Sequence, residues 1–452
     1  MNEERGRDLY QDLEHLVSHR TTRDELAAGI PIIERGLGSK VYDIYGKEYL
    51  DLVSGVTRPV GVGYGRKELA ETMAAQAEKL CYFTPMQYSN PPAIELAAKV
   101  ASLLPGDIDE VFFASSGSEA VESALKLAKQ HYFYRGEQKR YKVIARRGAY
   151  HGTTMGALSL LGTAHPMRQV MEPAVPGAVF VDPPYCYRCP WKQSYPGCDL
   201  LCAETVKTAI EFEMPDTVAA VIGEPLMQGY GALALPKEYW ARVREICDHY
   251  DVLLIVDEVI TGFGRTGAMF ASHELGVLPD IITMAKQITS GYVPLSAAAC
   301  RPKVTAPIPS FQHLHTWGSH PVACAVGLRN IQIIEEEGLV ARAKEMGAYF
   351  LSGLRELERH PWVGEARGTG LWCALDLTSD KKTRAMFGAA DFPGGAIVKR
   401  ARDKGLIIKI MGPALEFAPP LIISTEEIDW GLRVLDECLT EEERARGLTA
   451  PE

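Results

Sequence analysis

The sequence predicts an α/β protein in which a doubly wound, mostly parallel sheet is followed by a smaller α+β region. Short apolar runs alternate with longer amphipathic stretches through the middle of the chain. The runs are hydrophobic throughout rather than at every second residue, which is typical of parallel strands buried on both faces. After His320 the pattern changes to long helical stretches followed by short strand-like pieces.

The elements of the sheet can be assigned in chain order. A strand-like pair, Val41–Tyr45 and Glu48–Val53, comes first and can pack with either region. The alternation of strands and helices that follows predicts a doubly wound domain. Its predicted strands are Val111–Ala114, Val143–Ala145, Ala178–Val181, Val218–Ile222, Val252–Val256 and Ile281–Met284. The helical patterns between them are Glu119–Tyr132, Cys202–Met214 and Lys237–Tyr250.

The C-terminal region predicts a smaller α+β domain. Its helical patterns are Pro321–Glu337, Val340–Arg359 and Thr425–Cys438, and its strand-like pieces are Gly364–Leu377, Leu406–Lys409 and Leu415–Ala418. We therefore predict a large domain over residues 86–317 and a small domain over residues 318–452. The N-terminal segment, residues 1–85, is assigned to the small domain.

Composition excludes several classes of protein. The chain has 452 residues, is 46% hydrophobic and 23% charged, and carries a formal net charge of −10. No apolar run approaches the roughly 20 residues of a membrane helix, and the polar N-terminus has no apolar signal core. Net negative charge argues against binding to a phosphate backbone. We expect a cytoplasmic enzyme that binds neither membrane nor nucleic acid.

Four of the ten cysteines form a cluster, Cys186, Cys189, Cys198 and Cys202. Their spacing can supply four thiolates to a tetrahedral zinc ion. The alternative is a reduced or partly oxidised loop, because zinc ribbons separate their cysteine pairs more widely. No histidine completes a catalytic metal site here, so the sequence predicts no metal catalysis.

Ligands of doubly wound sheets bind at the carboxyl ends of the strands, where Ser116, Gly117 and Ser118 follow the first strand and open a helix. Free backbone N–H groups and the helix dipole favour an anion there. The alternative is a serine that only caps the helix.

Two charged residues end neighbouring predicted strands, Asp257 and Lys286. A buried carboxylate must be paired or hydrogen-bonded, and cofactor enzymes hold such an acid under a pyridinium nitrogen. Desolvation lowers the pKa of a buried lysine and frees its amine to form a Schiff base. The alternatives are a loop carboxylate that reaches water and a solvated surface lysine.

Tyr150 and His151 follow another strand in a glycine-rich segment. An aromatic side chain presented in this way can stack on a flat ring, although core packing of both residues is the alternative. A phosphate cradle, a stacking aromatic, a buried acid and a strand-end lysine together describe a pyridoxal phosphate site.

The segment Gly262–Gly267 matches the dinucleotide-binding pattern G-x-G-x-x-G. That pattern should follow its strand directly and open a helix. Here the residues DEVIT intervene and only a weak helical pattern follows, so a loop is predicted. A nicotinamide-dependent oxidoreductase built on this motif is kept as a distant alternative.

Seven motifs in series resemble the class III pyridoxal phosphate-dependent aminotransferases. They are SSGSEA, AYHG, EP at Glu224–Pro225, DEVITGFGRTG, AKQITSGYVPLSA, HTWGSHP and RGTGL, in the family's order across roughly residues 30–435. The resemblance implies fold type I and assigns pyridoxal phosphate to the large domain. Within the class, YFTPMQYSNPPAIELA and the cysteine-rich insert are most similar to ω-aminotransferases. Those enzymes move an amino group from an ω-amino acid, taurine-like compound or amine to an oxo acid such as pyruvate, by a ping-pong mechanism.

The resemblance also implies roles for individual residues. Lys286 would form the Schiff base and then act as acid–base group, and Asp257 would pair with the pyridine nitrogen. Tyr150 and Val259 would pack on the two faces of the ring. The remaining implied cofactor contacts are Ser116, Gly117, Ser118, His151, Glu224 and Thr316.

Thr316 would reach the phosphate held by a partner subunit, which implies a homodimer with shared active sites or a tetramer of such dimers. Arg367 would bind a substrate carboxylate or swing aside, and Glu224 would then neutralise it. Tyr150 is also an implied substrate contact.

The sequence departs from the family pattern beside the substrate. Gln287 stands where glycine is usual, and Trp317 replaces a commoner tyrosine. Ser54–Pro59 replaces an apolar or aromatic stretch, which makes Thr57 and Arg58 candidate substrate contacts. Arg58 is either a second anion contact or a surface arginine fixed by Pro59. An aminomutase, epimerase or decarboxylase on the same scaffold is the alternative function.

Overall fold

The computed structural model describes residues 3–162 and 165–447, with side chains from residue 8 onward. The strands are β1 Ile33–Leu37, β2 Lys40–Asp43, β3 Glu48–Asp51, β4 Glu110–Ala114, β5 Lys142–Arg146, β6 Ala178–Val181, β7 Val218–Gly223, β8 Leu226–Met227, β9 Leu233–Ala234, β10 Leu253–Asp257, β11 Ile281–Met284, β12 Ser296–Cys300, β13 Val363–Thr369, β14 Trp372–Leu377, β15 Leu406–Ile407, β16 Lys409–Met411 and β17 Ala414–Phe417. The helices are α1 Glu3–Asp12, α2 Arg23–Ala27, α3 Lys67–Lys79, α4 Pro91–Leu103, α5 Gly117–Tyr134, α6 Met155–Ser159, α7 Pro166–Gln169, α8 Leu201–Phe212, α9 Tyr239–His249, α10 Ala271–Leu275, α11 Pro302–Thr305, α12 Pro321–Glu336, α13 Leu339–Glu356, α14 Gly394–Asp403 and α15 Thr425–Ala445.

The large sheet has the strand order β4-β12-β11-β10-β7-β5-β6. The six strands predicted from apolar runs all form, and the pairs between β11 and β6 are parallel. Strand β12 pairs antiparallel with both β11 and β4. The sequence prediction missed β12, because its small side chains give no run of large hydrophobic residues.

Side chains of β10 show why this sheet is hydrophobic throughout. Leu253 and Ile255 pack with α5 on one face, whereas Leu254 and Val256 pack with α8 and α9 on the other. Since successive side chains of a strand point to opposite faces, both sets must be apolar. The strand therefore delivers its terminal residue, Asp257, to the edge of a sheet that is covered on both sides.

Of the two four-stranded sheets, one joins the ends of the chain. One has the order β1-β2-β3-β15, in which β3 pairs in parallel with β15, and the other has the order β13-β14-β17-β16. The N-terminal strands thus share a sheet with a C-terminal strand. Domain boundaries at residues 85 and 317 stay predictions.

The helical predictions need changes at several places, and they also missed α1 and α14. Helix α15 continues beyond Cys438 to Ala445, because Leu439, Glu442 and Glu443 are buried. Helices α3 and α4 were not predicted, although Asn90 caps α4 by accepting a hydrogen bond from the Ala93 amide at 3.0 Å.

None of the helices within residues 3–162 and 165–447 has the length and apolar character needed to cross a membrane.

A buried carboxylate fixes the loop that follows β10. Glu258 is fully buried and accepts hydrogen bonds from Thr261 Oγ1 at 2.6 Å and the Ala271 amide at 2.9 Å. It also accepts bonds from the amide and the hydroxyl of Ser272 at 2.7 and 2.6 Å. Four donors satisfy the charge, so the segment from Val259 to Phe270 is closed at its base and holds its place beside Asp257.

We expect Glu258→Ala to lower the free energy of unfolding by about 3 kcal/mol or more, because it leaves four buried donors unpaired. Urea-induced unfolding followed by circular dichroism measures the loss. Glu274→Ala is the matched control: Glu274 pairs with exposed Lys344 at 3.1 Å, and its loss should cost less than about 0.5 kcal/mol. Equal urea midpoints for the two variants would contradict the assignment.

Candidate active site

A cavity of about 120 Å³ lies at the carboxyl ends of the central strands. It brings together residues that are far apart in the chain but follow neighbouring strands, as expected for an open α/β sheet. The lining residues are Gly117, Ser118, Tyr150, His151, Gly152, Glu224, Leu226, Gln228, Asp257, Val259, Ile260, Thr261, Lys286 and Trp372. Eight of these are site residues that the sequence predicted.

Lys286 enters the cavity from the end of β11. Its backbone is left-handed, with a φ of 49°, a conformation that costs a non-glycine residue roughly 1–3 kcal/mol and often marks a functional site. Removal from water, followed by the nearby charge of Arg58, lowers the pKa of Lys286 to about 7. The side chain can therefore present a neutral amine near neutral pH.

Asp257 is held by three donors. Its Oδ2 lies 2.7 Å from Nδ1 of His151, and its Oδ1 accepts bonds from Thr283 Oγ1 at 3.0 Å and the Val259 amide at 3.1 Å. Thr283 is the register neighbour of Asp257 on β11. The carboxylate is buried, and these contacts fix its direction toward the cavity.

The N-terminus of α5 forms another wall. Ser116 caps it, accepting a bond from the Glu119 amide at 3.3 Å, and Glu119 bonds back to the Ser116 amide at 3.1 Å. The amides of Gly117 and Ser118 make no hydrogen bond within the described residues. A Cβ at Gly117 would lie 2.9 Å from Val259 Cγ1, so glycine keeps this anion-binding turn open.

Tyr150 and Glu224 meet on a third side. The Tyr150 amide donates to Glu224 Oε1 at 3.3 Å, and the Gln228 amide donates to the same atom at 3.1 Å. Arg146 lies 3.7 Å from the other carboxylate oxygen. Burial raises the pKa of Glu224 above its ordinary value despite these neighbours.

The residues around the cavity fit pyridoxal phosphate. An aldehyde needs the amine of Lys286, a phosphate needs the free amides at the start of α5, and a pyridinium nitrogen needs the oriented carboxylate of Asp257. Three buried polar atoms on the cavity residues also have no hydrogen-bond partner in the described part of the chain. They are His151 Nε2, Glu224 Oε2 and Gln228 Oε1.

In this structure Arg367 pairs with carboxylates other than Glu224, and its switch to Glu224 stays a prediction. Arg367 Nη1 lies 2.7 Å from Glu365 and 2.8 Å from Asp376, and the guanidinium also donates to the carbonyls of Gly231 and Tyr230. It does not line the cavity. Four acceptors on β13, β14 and the β8–β9 turn thus hold four of its five N–H groups.

The remaining predicted residues lie around the cavity rather than in its wall. Ser116 lines a second cavity of about 240 Å³, which shares Gly117 and Lys286 with the first. Thr57 and Thr316 are exposed. Arg58 is buried with its side chain 2% exposed, so the interpretation of a surface arginine is wrong.

The four clustered cysteines come together around a small cavity with Trp191 and Tyr195. All four are free thiols. Within residues 3–162 and 165–447, no group of three or more His, Cys, Asp or Glu side chains has an arrangement that could hold a metal ion. The geometry therefore gives the zinc interpretation no support.

The glycine-rich segment Gly262–Gly267 forms turns and does not open a helix; α10 begins only at Ala271. Gly267 packs against Lys344 of α13. The segment is a buried connection between β10 and α10 that packs against α13, which removes the structural basis of the dinucleotide-binding alternative.

Several residues of the site escaped the sequence prediction. Thr283 could have been predicted, since it is the penultimate residue of β11, the strand that neighbours β10. Leu226, Gln228 and Trp372 line the cavity but belong to short strands and turns whose position no local pattern reveals.

Comparison with known proteins agrees with this geometry. The family model of class-III aminotransferases matches residues 24–439. The chain is 43% identical to a probable aminotransferase of Mycobacterium tuberculosis, covering 92% of this chain and 91% of that protein. It is 36% identical to putrescine–pyruvate aminotransferase of Pseudomonas aeruginosa, with 91% of each chain covered, and 35% identical to taurine–pyruvate aminotransferase of Bilophila wadsworthia, with 96% of each covered.

A crystal structure of a Bacillus anthracis aminotransferase superposes with a TM-score of 0.93 at 39% identity, covering 98% of this chain and 100% of that one. The family match and the superposition both include the large sheet and the smaller sheets. The chain therefore belongs to the class-III aminotransferases, and it is a pyridoxal phosphate-dependent transaminase of fold type I.

Proposed function

We propose that the enzyme moves an amino group from an ω-amino acid, taurine-like compound or amine to pyruvate by a ping-pong mechanism. The observation that carries the proposal is the meeting of Lys286, Asp257 and the free amides of α5 in one cavity. The names of two relatives, putrescine–pyruvate and taurine–pyruvate aminotransferase, support the donor class and the acceptor.

Each side chain has a separate task in this proposal. The bound cofactor supplies an electron sink for the carbon that loses a proton. Asp257, oriented by His151 and Thr283, holds a proton on the ring nitrogen. Tyr150 and Val259 restrain the two faces of the ring. Lys286 Nζ would carry the proton between the substrate carbon and the cofactor carbon, because its lowered pKa lets the amine accept and donate a proton near neutral pH.

The function can be tested by separating the half-reactions. A donor such as β-alanine, added alone, should bleach the cofactor band above about 400 nm, and pyruvate added afterwards should restore it. Lys286→Ala should lower turnover at least about 1000-fold, because it removes the proton carrier and the covalent attachment.

Cofactor content, measured after denaturation, separates lost chemistry from lost binding in Lys286→Ala. Turnover of Lys286→Ala at the wild-type rate would show that the mechanism is wrong. Consumption of donor without an oxo acid would instead indicate an epimerase, aminomutase or decarboxylase.

The pH dependence of cofactor attachment follows from the lowered pKa of Lys286. Cofactor-free enzyme should attach pyridoxal phosphate at a rate that rises with pH up to about 7 and levels off above it, since the amine is protonated below its pKa. An ordinary lysine would give a rise up to about pH 10. Stopped-flow absorbance measures the rate, and a midpoint above pH 9 would contradict the assigned environment.

We also propose that the active unit is a homodimer in the cytoplasm. Exposed apolar side chains gather at residues 83–94 and 314–317, among them Phe83, Met86, Leu314 and Trp317, which are 47–59% exposed. Tyr82 packs edge-on against Trp317 at 5.4 Å, which joins the two segments. Such a patch fits a second copy of the chain, and exposed Thr316 lies within it. The ten free thiols suit a reducing compartment.

The double variant Leu314→Glu, Trp317→Glu should shift the enzyme from dimer to monomer, because two charges would be buried at the interface. Sedimentation velocity measures the shift, and cofactor affinity should fall with it if Thr316 reaches the phosphate of the partner subunit. Phe212→Glu is the control, since Phe212 is 86% exposed at the end of α8. A double variant that sediments like the wild type would refute this interface.

A further inference from the structure

An oxo acid and an ω-amino acid both carry a carboxylate, and the enzyme needs a cation to bind it. Arg367 is occupied by Glu365, Asp376 and two carbonyls. These acceptors account for four of its five N–H groups. A substrate carboxylate at Arg367 would have to displace two resident carboxylates.

Arg58 is a cation with unused hydrogen-bonding capacity beside Trp372 of the cavity wall. Its Nη1 donates to Glu416, and its Nε has no partner among the described residues although it is buried. Its charge acts on both Lys286 and Tyr150. The guanidinium carbon lies 5.8 Å from the ring centre of Trp372, a residue of the cavity wall.

Glu416 orients this arginine. One of its carboxylate oxygens accepts the bond from Arg58, and the other accepts a bond from Trp372 Nε1 at 2.6 Å. Glu416 is fully buried on β17. Because the carboxylate is fixed at both oxygens, it directs the guanidinium and leaves the Nε edge for another acceptor.

Lys409 adds a second cation beside Glu416. It is the register neighbour of Glu416 across β16 and β17, and its Nζ donates to the Val56 carbonyl at 3.1 Å. Burial and then the charge of Arg58 lower the pKa of Lys409 to about 8, and Arg20 acts in the same direction. Two cations, Arg58 and Lys409, thus lie beside the single carboxylate of Glu416.

A second buried arginine, Arg265, lies beside the same segment: it donates to Ser54 Oγ at 3.2 Å and to the Leu371 and Pro419 carbonyls. Burial followed by the charge of Arg58 lowers its pKa to about 9, although Asp51 and Glu416 act in the opposite direction. The pKa of Asp51 is itself raised by burial. An anion bound beside Arg58 would relieve the mutual repulsion of these cations.

We propose that Arg58, oriented by Glu416 and assisted by Lys409, binds the carboxylate of the oxo-acid acceptor and of ω-amino acid donors. The assignment rests on the proposed amino transfer. Arg58 is then a substrate-binding residue that determines specificity, and Glu416 and Lys409 are positioning residues. Arg367 has a structural role in joining β13, β14 and the β8–β9 turn.

The test compares substrates that differ by one carboxylate. Pyruvate is paired with acetaldehyde, which lacks its carboxylate, and β-alanine with propylamine, in which a methyl group replaces the carboxylate. Each half-reaction is followed by cofactor absorbance on the holoenzyme. In Arg58→Gln, the apparent KM for pyruvate and β-alanine should rise about 10- to 100-fold, as expected for loss of a charge-assisted hydrogen bond. Values for acetaldehyde and propylamine should stay within about two-fold.

Three further variants sharpen the comparison. Arg58→Lys should raise the apparent KM for pyruvate and β-alanine less than Arg58→Gln does, because the charge remains but the forked geometry of the guanidinium is gone. Arg367→Lys should leave the ratio between paired substrates unchanged. Lys399→Gln, which removes an exposed charge on α14, controls for net charge. Because each ratio compares two substrates on the same variant, a general loss of cofactor or stability does not change it.

A binding measurement gives a readout without turnover. Calorimetry of holoenzyme with propionate should show a dissociation constant that Arg58→Gln raises about ten-fold or more, whereas neutral propionamide should bind both proteins equally. The assignment would be overturned if Arg367→Lys weakened only the compounds that carry a carboxylate. It would also be overturned if Arg58→Gln weakened both members of each pair equally. If the wild type transfers no amino group with either pair, the proposed function fails instead.

Discussion

A buried carboxylate at the end of β10 sets the position of much of the site. Asp257 needs compensation because it leaves water at the edge of a sheet covered on both faces, and His151, Thr283 and the Val259 amide provide it. Each donor belongs to a segment that also lines the cavity or neighbours Lys286. The requirement to satisfy one charge therefore brings together the ends of three strands, and the cavity that fits the cofactor lies between them.

The cofactor and substrate walls come from different parts of the chain. Gly117, Tyr150, Asp257 and Lys286 follow strands of the large sheet, within the middle of the sequence. Arg58 and Glu416, by contrast, lie 358 residues apart, and they meet where Ala418 exchanges hydrogen bonds with Leu52 and Ser54. Substitutions at the chain ends can change the substrate while the cofactor contacts stay the same. This separation agrees with a family whose relatives act on donors as different as putrescine and taurine.

Sequence reasoning succeeded where the physical signal is local. Continuous apolar runs identified six strands of the large sheet, and the rule that ligands meet strand ends pointed to Asp257 and Lys286. It failed where partners are distant or side chains are small. The contacts of Arg367 with Asp376 and of Arg58 with Glu416 depend on strand order in the small sheets, which no spacing reveals. Strand β12 has small residues, and the turn residues of the cavity wall have no periodicity.

Consecutive carboxylates at the end of β10 have opposite duties: Asp257 points into the cavity, and Glu258 closes the loop behind it. The two side chains differ in direction because successive side chains of an extended chain point to opposite sides. Insertion or deletion of a single residue in Leu253–Asp257 would exchange them, turning the longer acid toward the ring nitrogen and leaving the loop unanchored. During evolution this strand is therefore free to change its apolar side chains but not its length.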